Sequence, residues 1–423
     1  MYLELKSTML APLLLAPSFG FGDRLGLATP GHIAAVRGTR LAPIFAQQSV
    51  RENERTGRTP QQVMDDARRA VDAAKWDGPW GADADHLKTL EDIPPFVKAG
   101  YTFFTVDPGA HVDNSADTAS PAALKQKVAD INWAEISELY LAPGSQQPWG
   151  NFETESLQRA VVKYGKAIQH AGKMFERISE LFPARSTQVG LPASGGQGQG
   201  FDFEVSVDET DSPTTPLEHF FIASELTRLG VRFTSLAPRF IGRFEKGVDY
   251  IGDLAALEAE MAKHAAVTSH FGTYKLSLHS GSDKFSVYPL VAKYWGEKIH
   301  VKTAGTSYLE ALRVLADLEP DLFLKIYSLG RVRYETDRQS YHVSAELKSL
   351  PADTDLPALL DDFHAREVLH VTFGSALARF GVEIKAALRK HLDAYHEGLR
   401  VHFEKHLSPL EDQHESGRTS LAV

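Results

Sequence analysis

The 423-residue chain contains no cysteine, which excludes disulfides, thiolate metal sites, iron–sulfur clusters and a cysteine nucleophile. Any metal must be held by imidazole, carboxylate or other oxygen ligands, and 17 histidines can supply the first of these. Basic charge is short as well. With 45 Lys and Arg against 55 Asp and Glu, the formal net charge is −10, without the basic footprint that nucleic-acid binding requires. Long apolar runs are missing too: the stretch Met9–Pro17 is interrupted by Pro12, far short of the roughly 20 residues that span a bilayer. Only Glu4 and Lys6 precede it as charged residues, and they cancel, so it lacks the basic start of a signal peptide. The expectation is a soluble, cytoplasmic protein. Neither an HExxH helix nor a GxSxG elbow occurs. The run Gly195–Gly200 precedes an apolar segment instead of leading from a strand into a helix, so it is neither a dinucleotide fingerprint nor a P-loop.

What the chain does have is alternation. Short β-rich runs recur at Pro43–Ala46, Trp80–Ala84, Thr102–Val106, Phe203–Val207, Arg232–Leu236, Tyr274–Leu278, Ile299–Lys302 and Val368–Thr372. Between them lie segments of helical period. Thr59-Pro60 opens one, with an apolar face of Val63, Met64, Ala67, Ala70, Val71 and Ala74; Ser156–Phe182, Ser307–Leu318 and Leu377–Phe403 read similarly. Strand–helix alternation implies parallel strands joined by helical crossovers. Eight candidate strands predict an α/β fold, a TIM-like (β/α)8 barrel, with a doubly wound open sheet as the alternative. One catalytic domain over 1–407 is expected. Long insertions at about 108–200 and 319–366 follow the third and seventh predicted strands, and a polar tail over 408–423 is expected to fray.

In such barrels the site lies at the C-terminal ends of the strands. The segment 202–208 alternates by two, placing Asp202, Glu204, Ser206 and Asp208 on one face and Phe203, Val205 and Val207 on the other. An exposed strand edge gives the same pattern; so does a polar barrel mouth. Asp85-His86 closes a Gly/Ala-rich strand, where one residue of that kind would suffice as a helix cap. His279 ends an apolar run before a Ser/Gly loop. A single buried histidine is more often a satisfied core residue than a ligand, and Glu245 beside Lys246 reads first as a solvated loop. Taken together, His86, Glu245 and His279 make a two-histidine, one-carboxylate set from three strand ends, suited to Zn, Mn, Ni, Co or Fe. Asp85 and Glu204 then remain for acid–base work. Arg239 and Lys302 are candidates for a substrate carboxylate, although ordinary salt bridges would use them equally well. Gln47 and Thr303 are further candidates to hydrogen-bond a substrate.

At these same residues the chain resembles a known family. The stretches Ser18–Gly26, Phe45–Glu52, Gly81–Thr89, Glu204–Thr210, His279–Phe285 and His300–Ser307 are similar to those of the bacterial tagaturonate epimerase family. The likeness runs from about Ser18 to the final helix. It implies a divalent-metal-dependent barrel enzyme that interconverts tagaturonate and fructuronate, with relatives acting on tagatose and fructose at the equivalent C4. Position by position, it implies Asp85 and Glu204 as the acid–base pair and His86, Glu245 and His279 as metal ligands. The expected partner is a small sugar or sugar acid; neither nucleic acid nor membrane is expected, and a homo-oligomer stays open. Rival readings are a metal-dependent aldolase or aldose–ketose isomerase on sugar acids, and a non-catalytic sugar-binding protein.

Overall fold

Eight short parallel strands pair in chain order and close on themselves: β1 (Ser18–Gly22), β2 (Ala42–Ser49), β3 (Gly81–Leu87), β4 (Phe103–Val106), β5 (Asp202–Ser206), β6 (Ser235–Ala237), β7 (Lys275–Leu278) and β8 (Ile299–Thr303), with β8 returning to β1. The computed structural model describes residues 9–129, 131–142, 147–182, 200–352 and 355–419. The glycine-rich run over 195–199 lies outside the described residues. Among the described residues, no helix is long and apolar enough to cross a membrane.

The barrel is the expected one, but two segments exchange roles. Val368–Thr372 is not a strand: it falls in and just after the helix Phe363–Val371, whose residues from Ala365 to Val371 are all buried. A continuous apolar run fits a buried helix as well as a buried strand, and periodicity cannot separate them. The missing strand is β1, whose glycines disguise it as a loop. Gly20 is small for a reason. A Cβ there would lie 1.6 Å from the Gln47 Oε1 of β2, so only glycine lets that side chain cross the barrel interior.

The crossover between β4 and β5 carries the long excursion as expected, including the 28-residue helix Thr154–Leu181. Its buried face, from Leu157 through Tyr164, Ile168 and Phe175 to Ile178, covers the barrel wall. The second excursion is not an insertion between strands. β8 is the last strand, so everything after the helix Thr306–Leu318 is an extension built on a closed barrel. From Ser408, where a polar tail is expected to begin, the described residues are still helical. The final helix runs over Leu392–Thr419 with Pro409 inside it, because Leu407 and Leu410 continue the buried stripe begun by Tyr395, Leu399 and Phe403.

The N-terminal end of the barrel is closed by the chain's own start. Asp202 accepts hydrogen bonds from the backbone N–H of Leu13 (2.6 Å) and Leu14 (2.9 Å). Lys275 Nζ donates to the Ala16 carbonyl and to Ser18 Oγ, both at 2.9 Å. Burial pulls the Lys275 pKa down to about 8 despite the nearby Asp202 carboxylate. Asp202→Ala should therefore unpair two amides and remove the counter-charge of a buried ammonium, at a cost of about 3–5 kcal/mol. Urea unfolding measures this, and a loss below ~1 kcal/mol would remove the structural role of the plug.

Candidate active site

The strand ends opposite that plug form a polar mouth. Period-two alternation turns Asp83 and Asp85 of β3, Glu204 of β5 and Lys302 of β8 into the same interior. There, Lys302 Nζ lies 2.6 Å from Asp83, 2.8 Å from Asp85 and 3.0 Å from Glu204, and it also donates to Thr105 Oγ1. Burial works against the ammonium, yet these carboxylates hold its pKa above the usual lysine range. The same balance works on the acids. Burial alone would raise Glu204, but Lys302 and His279 keep it well below the ordinary carboxylate value. Asp83 is pushed up to about 7 by burial and by the charges of Asp85 and Glu204, against the pull of Lys302.

Two imidazoles stand on this layer. His86 follows Asp85 at a break in the β3–β4 register and holds a left-handed φ of 53°. A non-glycine residue there carries strain of order 1 kcal/mol, and the turn brings its ring to the mouth. His86 Nδ1 is 2.8 Å from Asp85 and its Nε2 is 3.6 Å from Asp208. His279, one residue past β7, places Nε2 2.7 Å from Glu204 and Nδ1 3.3 Å from Asp208. Ser206 Oγ lies 3.3 Å from that Nδ1. Each ring is thus gripped on one nitrogen by its own carboxylate and turns the other towards Asp208. Burial disfavours protonated His86, but Asp85 and Asp208 raise its pKa well above the usual value. His279 is likewise raised, by Asp208 and Glu204 against burial and Lys302.

Surroundings that favour a proton on each ring favour a cation of any kind. One nitrogen of His86, one of His279 and a carboxylate oxygen of Asp208 lie within 4.8 Å of one another. Two imidazoles and a carboxylate, with the far ring nitrogens held by Asp85 and Glu204, is a donor set that suits Mn, Fe, Co, Ni or Zn with positions left open.

The third carboxylate differs from the expected one. Glu245 is buried on the loop after β6, but its carboxylate accepts from Ser344 N–H (2.9 Å) and Oγ (2.7 Å) and faces Arg243 at 3.4 Å. It fastens the segment that follows the helix Pro320–Asp337. Asp208 lies beside the two imidazoles instead, because the alternation of β5 carries past Ser206 on the same face; nothing in the irregular loop after β6 fixes the direction of Glu245.

The expected substrate residues divide similarly. Lys302 is saturated by carboxylates and is not available to a ligand's. Gln47 Nε2 donates to the Thr303 carbonyl (3.2 Å) and Thr303 Oγ1 to the Gly20 carbonyl (2.7 Å), so both tie β1, β2 and β8 together. Gln47 Oε1 remains buried without a hydrogen-bond partner. Arg239 is half-buried and, among the described residues, pairs with no carboxylate. It lines a cavity of about 280 Å³ with Asp208, Glu209, His279, Lys246 and Ser340–His342. The last three residues come from the extension beyond the barrel and were not foreseen. Tyr341 receives a hydrogen bond from Arg55 (2.7 Å), and the Arg51 guanidinium sits 4.8 Å from its ring centre.

Fold and site together describe a closed (β/α)8 barrel whose C-terminal strand ends gather carboxylates around two oriented imidazoles, an arrangement of the kind barrel enzymes use. The family model for tagaturonate epimerase matches residues 9–410, and the chain belongs to that family. It is an epimerase acting on carbohydrates or their derivatives. A Thermotoga maritima protein named tagaturonate/fructuronate epimerase is 43% identical over 407 residues, covering 94% of this chain and 81% of that protein. The crystal structure of fructuronate-tagaturonate epimerase UxaE from Cohnella laeviribosi superposes with a TM-score of 0.87 at 39% identity, over 95% of this chain and 83% of that one. A one-glycerol complex of the same enzyme gives 0.86 at 38% identity, with the same coverage.

The shared ammonium generates a prediction. Lys302→Met leaves Asp83, Asp85 and Glu204 facing one another and should cost about 3–5 kcal/mol in urea unfolding at neutral pH. Asp85 and Glu204 have native pKa values held below their ordinary ones, so the stability they add is present above pH ~4–5 and is lost as pH falls. The gap between wild type and variant should therefore shrink towards pH 4. A gap that widened on acidification would contradict this charge balance.

Proposed function

We propose that the chain interconverts D-tagaturonate and D-fructuronate at C4 by opening and reclosing the C3–C4 bond. The observation that supports this most directly is the pair of rim imidazoles, each oriented by a separate carboxylate and both facing Asp208, in a chain similar to proteins named for that activity. C4 is one bond beyond the position next to the ketone, so simple removal of the α-proton would invert the wrong centre. In a retro-aldol step, a carboxylate removes the C4 hydroxyl proton and the C3–C4 electron pair moves towards the ketone. The products are a three-carbon enediolate and a three-carbon aldehyde acid. Rotation about C4–C5 turns the other aldehyde face to the enediolate, and reclosure with proton return inverts C4.

His86, His279 and Asp208 would hold a divalent ion, which supplies Lewis-acid stabilisation of negative charge at the ketone and its neighbouring hydroxyl. Asp85 and Glu204, kept ionised by Lys302 and the imidazoles, are the proposed proton acceptors, and each returns as an acid the proton it has taken. Arg239 receives the substrate carboxylate. The same groups could act on the neutral pair D-tagatose and D-fructose; Arg239 in the cavity wall, with no carboxylate partner among the described residues, favours the sugar acids.

Two measurements follow. Dialysis against a chelator should abolish turnover and a divalent ion should restore it. His86→Ala, His279→Ala and Asp208→Asn should each lose bound metal and at least ~100-fold in kcat/KM, whereas Glu245→Gln should keep the wild-type metal content. Metal retained by Asp208→Asn but lost from Glu245→Gln would reverse the ligand assignment. Separately, turnover in D2O should leave C4 free of deuterium, and an aldehyde trap should capture three-carbon fragments. Deuterium at C4 would establish direct proton exchange in place of bond cleavage.

A further inference from the structure

The cavity is divided by charge, and the cations on its wall are not equivalent. Arg243, on the wall, is spent on Glu245 at 3.4 Å, and Arg51, outside the lining, is spent on the wall residue Glu209 at 3.5 Å. Lys302 is surrounded by three carboxylates below the mouth. Lys284, close behind, gives its protons to the carbonyls of Glu245, Val248 and Ser282. Lys246 differs. It is half-buried, lines the cavity and, among the described residues, has no carboxylate within ion-pair distance. One proton is committed, to Ser280 Oγ at 2.6 Å. Ser280 follows His279 directly and sits at a left-handed φ of 50°, so this bond fastens the ammonium beside the loop that carries a rim imidazole. Its other two protons have no partner among the described residues.

A half-buried ammonium with unused donors, in a wall it shares with Arg239, which likewise pairs with no carboxylate among the described residues, is arranged to receive an anion. In the sugar acids the carboxylate, C6, lies at the opposite end of the carbon chain from the ketone. A substrate with its ketone end at the imidazoles therefore carries its negative charge away from the acidic floor. We propose that Lys246 is the specificity-determining residue that binds the C6 carboxylate, with Arg239 as the second donor, and so separates hexuronates from neutral ketohexoses of the same skeleton. This rests on the proposed reaction for the identity of the ligand.

Titration calorimetry with D-tagaturonate tests it without requiring turnover. Lys246→Gln should weaken binding roughly 10- to 100-fold, the loss expected for a hydrogen bond to a charged group. Lys246→Arg should recover most of it. Raising KCl from 50 to 500 mM should weaken wild-type binding but shift that of Lys246→Gln far less, a difference that a merely structural role would not produce. Thermal melting checks that both variants fold; should Lys246→Gln fail to fold, Lys246→Arg and the wild-type salt dependence still decide. Unchanged affinity in Lys246→Gln, or an undiminished salt slope, would overturn the assignment. A wild type that binds D-tagaturonate but does not epimerise it would overturn the proposed function and leave the role of Lys246 standing.

Discussion

One ammonium organises the mouth of this barrel. Lys302 stands where a (β/α)8 barrel ordinarily packs branched apolar side chains, and it draws Asp83, Asp85 and Glu204 towards one point. Two of those carboxylates then reach upward, Asp85 to His86 and Glu204 to His279. The orientation of both imidazoles thus traces to a single buried charge through two parallel links. Burying four ionisable groups together costs desolvation energy that attraction between them offsets only with good geometry. Ser235 and Thr105 add hydrogen bonds to Glu204, using lone pairs that would otherwise stay unsatisfied.

Rigidity below is matched by strain above. His86, Ser280 and Asp283 all hold left-handed backbone conformations although none is glycine; His86 lies near the C-terminal end of β3, and the other two lie in the loop after β7. Strain of this kind persists only where the surroundings over-determine it. Here the surroundings include the extension beyond the barrel. Glu245 and Glu367 both accept from the backbone of Ser344, while Arg51 and Arg55 fix Ser340 and Tyr341. The segment that roofs the cavity is therefore tied to the loop after β6 at one end and to the helix Val50–Thr56 at the other.

How much of this the sequence disclosed depended on whether a local period fixed the direction of a side chain. In β5 it did: the alternation from Asp202 to Asp208 placed Glu204 inside and pointed at Asp208, although the ligand role went first to Glu245. The positions of Asp85, His86 and His279 at strand ends were equally legible. Gly20 was not, because glycine in a strand carries no apolar signal, and its purpose lies in the side chain of Gln47 across the barrel. Val368–Thr372 misled for the opposite reason, being apolar enough for a strand while buried as a helix. Lys302 was visible as a cation, but its commitment to three carboxylates on other strands is a property of barrel closure. Lys246 read as a solvated loop residue until Ser280, 34 positions away, proved to be its partner.

Residue type alone would assign this barrel a second ion site, since Asp283, His402 and His406 cluster as closely as His86, Asp208 and His279. Their surroundings argue otherwise. Arg366 lies 3.0 Å from Asp283 and supplies the positive charge that a metal would bring. His406 Nε2 accepts the Asp283 N–H and its Nδ1 meets the His402 carbonyl, both at 3.0 Å, so no lone pair is left for a ligand. Burial accordingly drives the His406 pKa down to about 3, whereas the rim histidines are driven up. The cluster works as a fastening. It joins the final helix, Leu392–Thr419, to the loop after β7, and that loop also holds Ser280. The extension that follows the closed barrel thereby supports the loop next to His279 from behind, while carboxylates with no guanidinium among them attract positive charge in front.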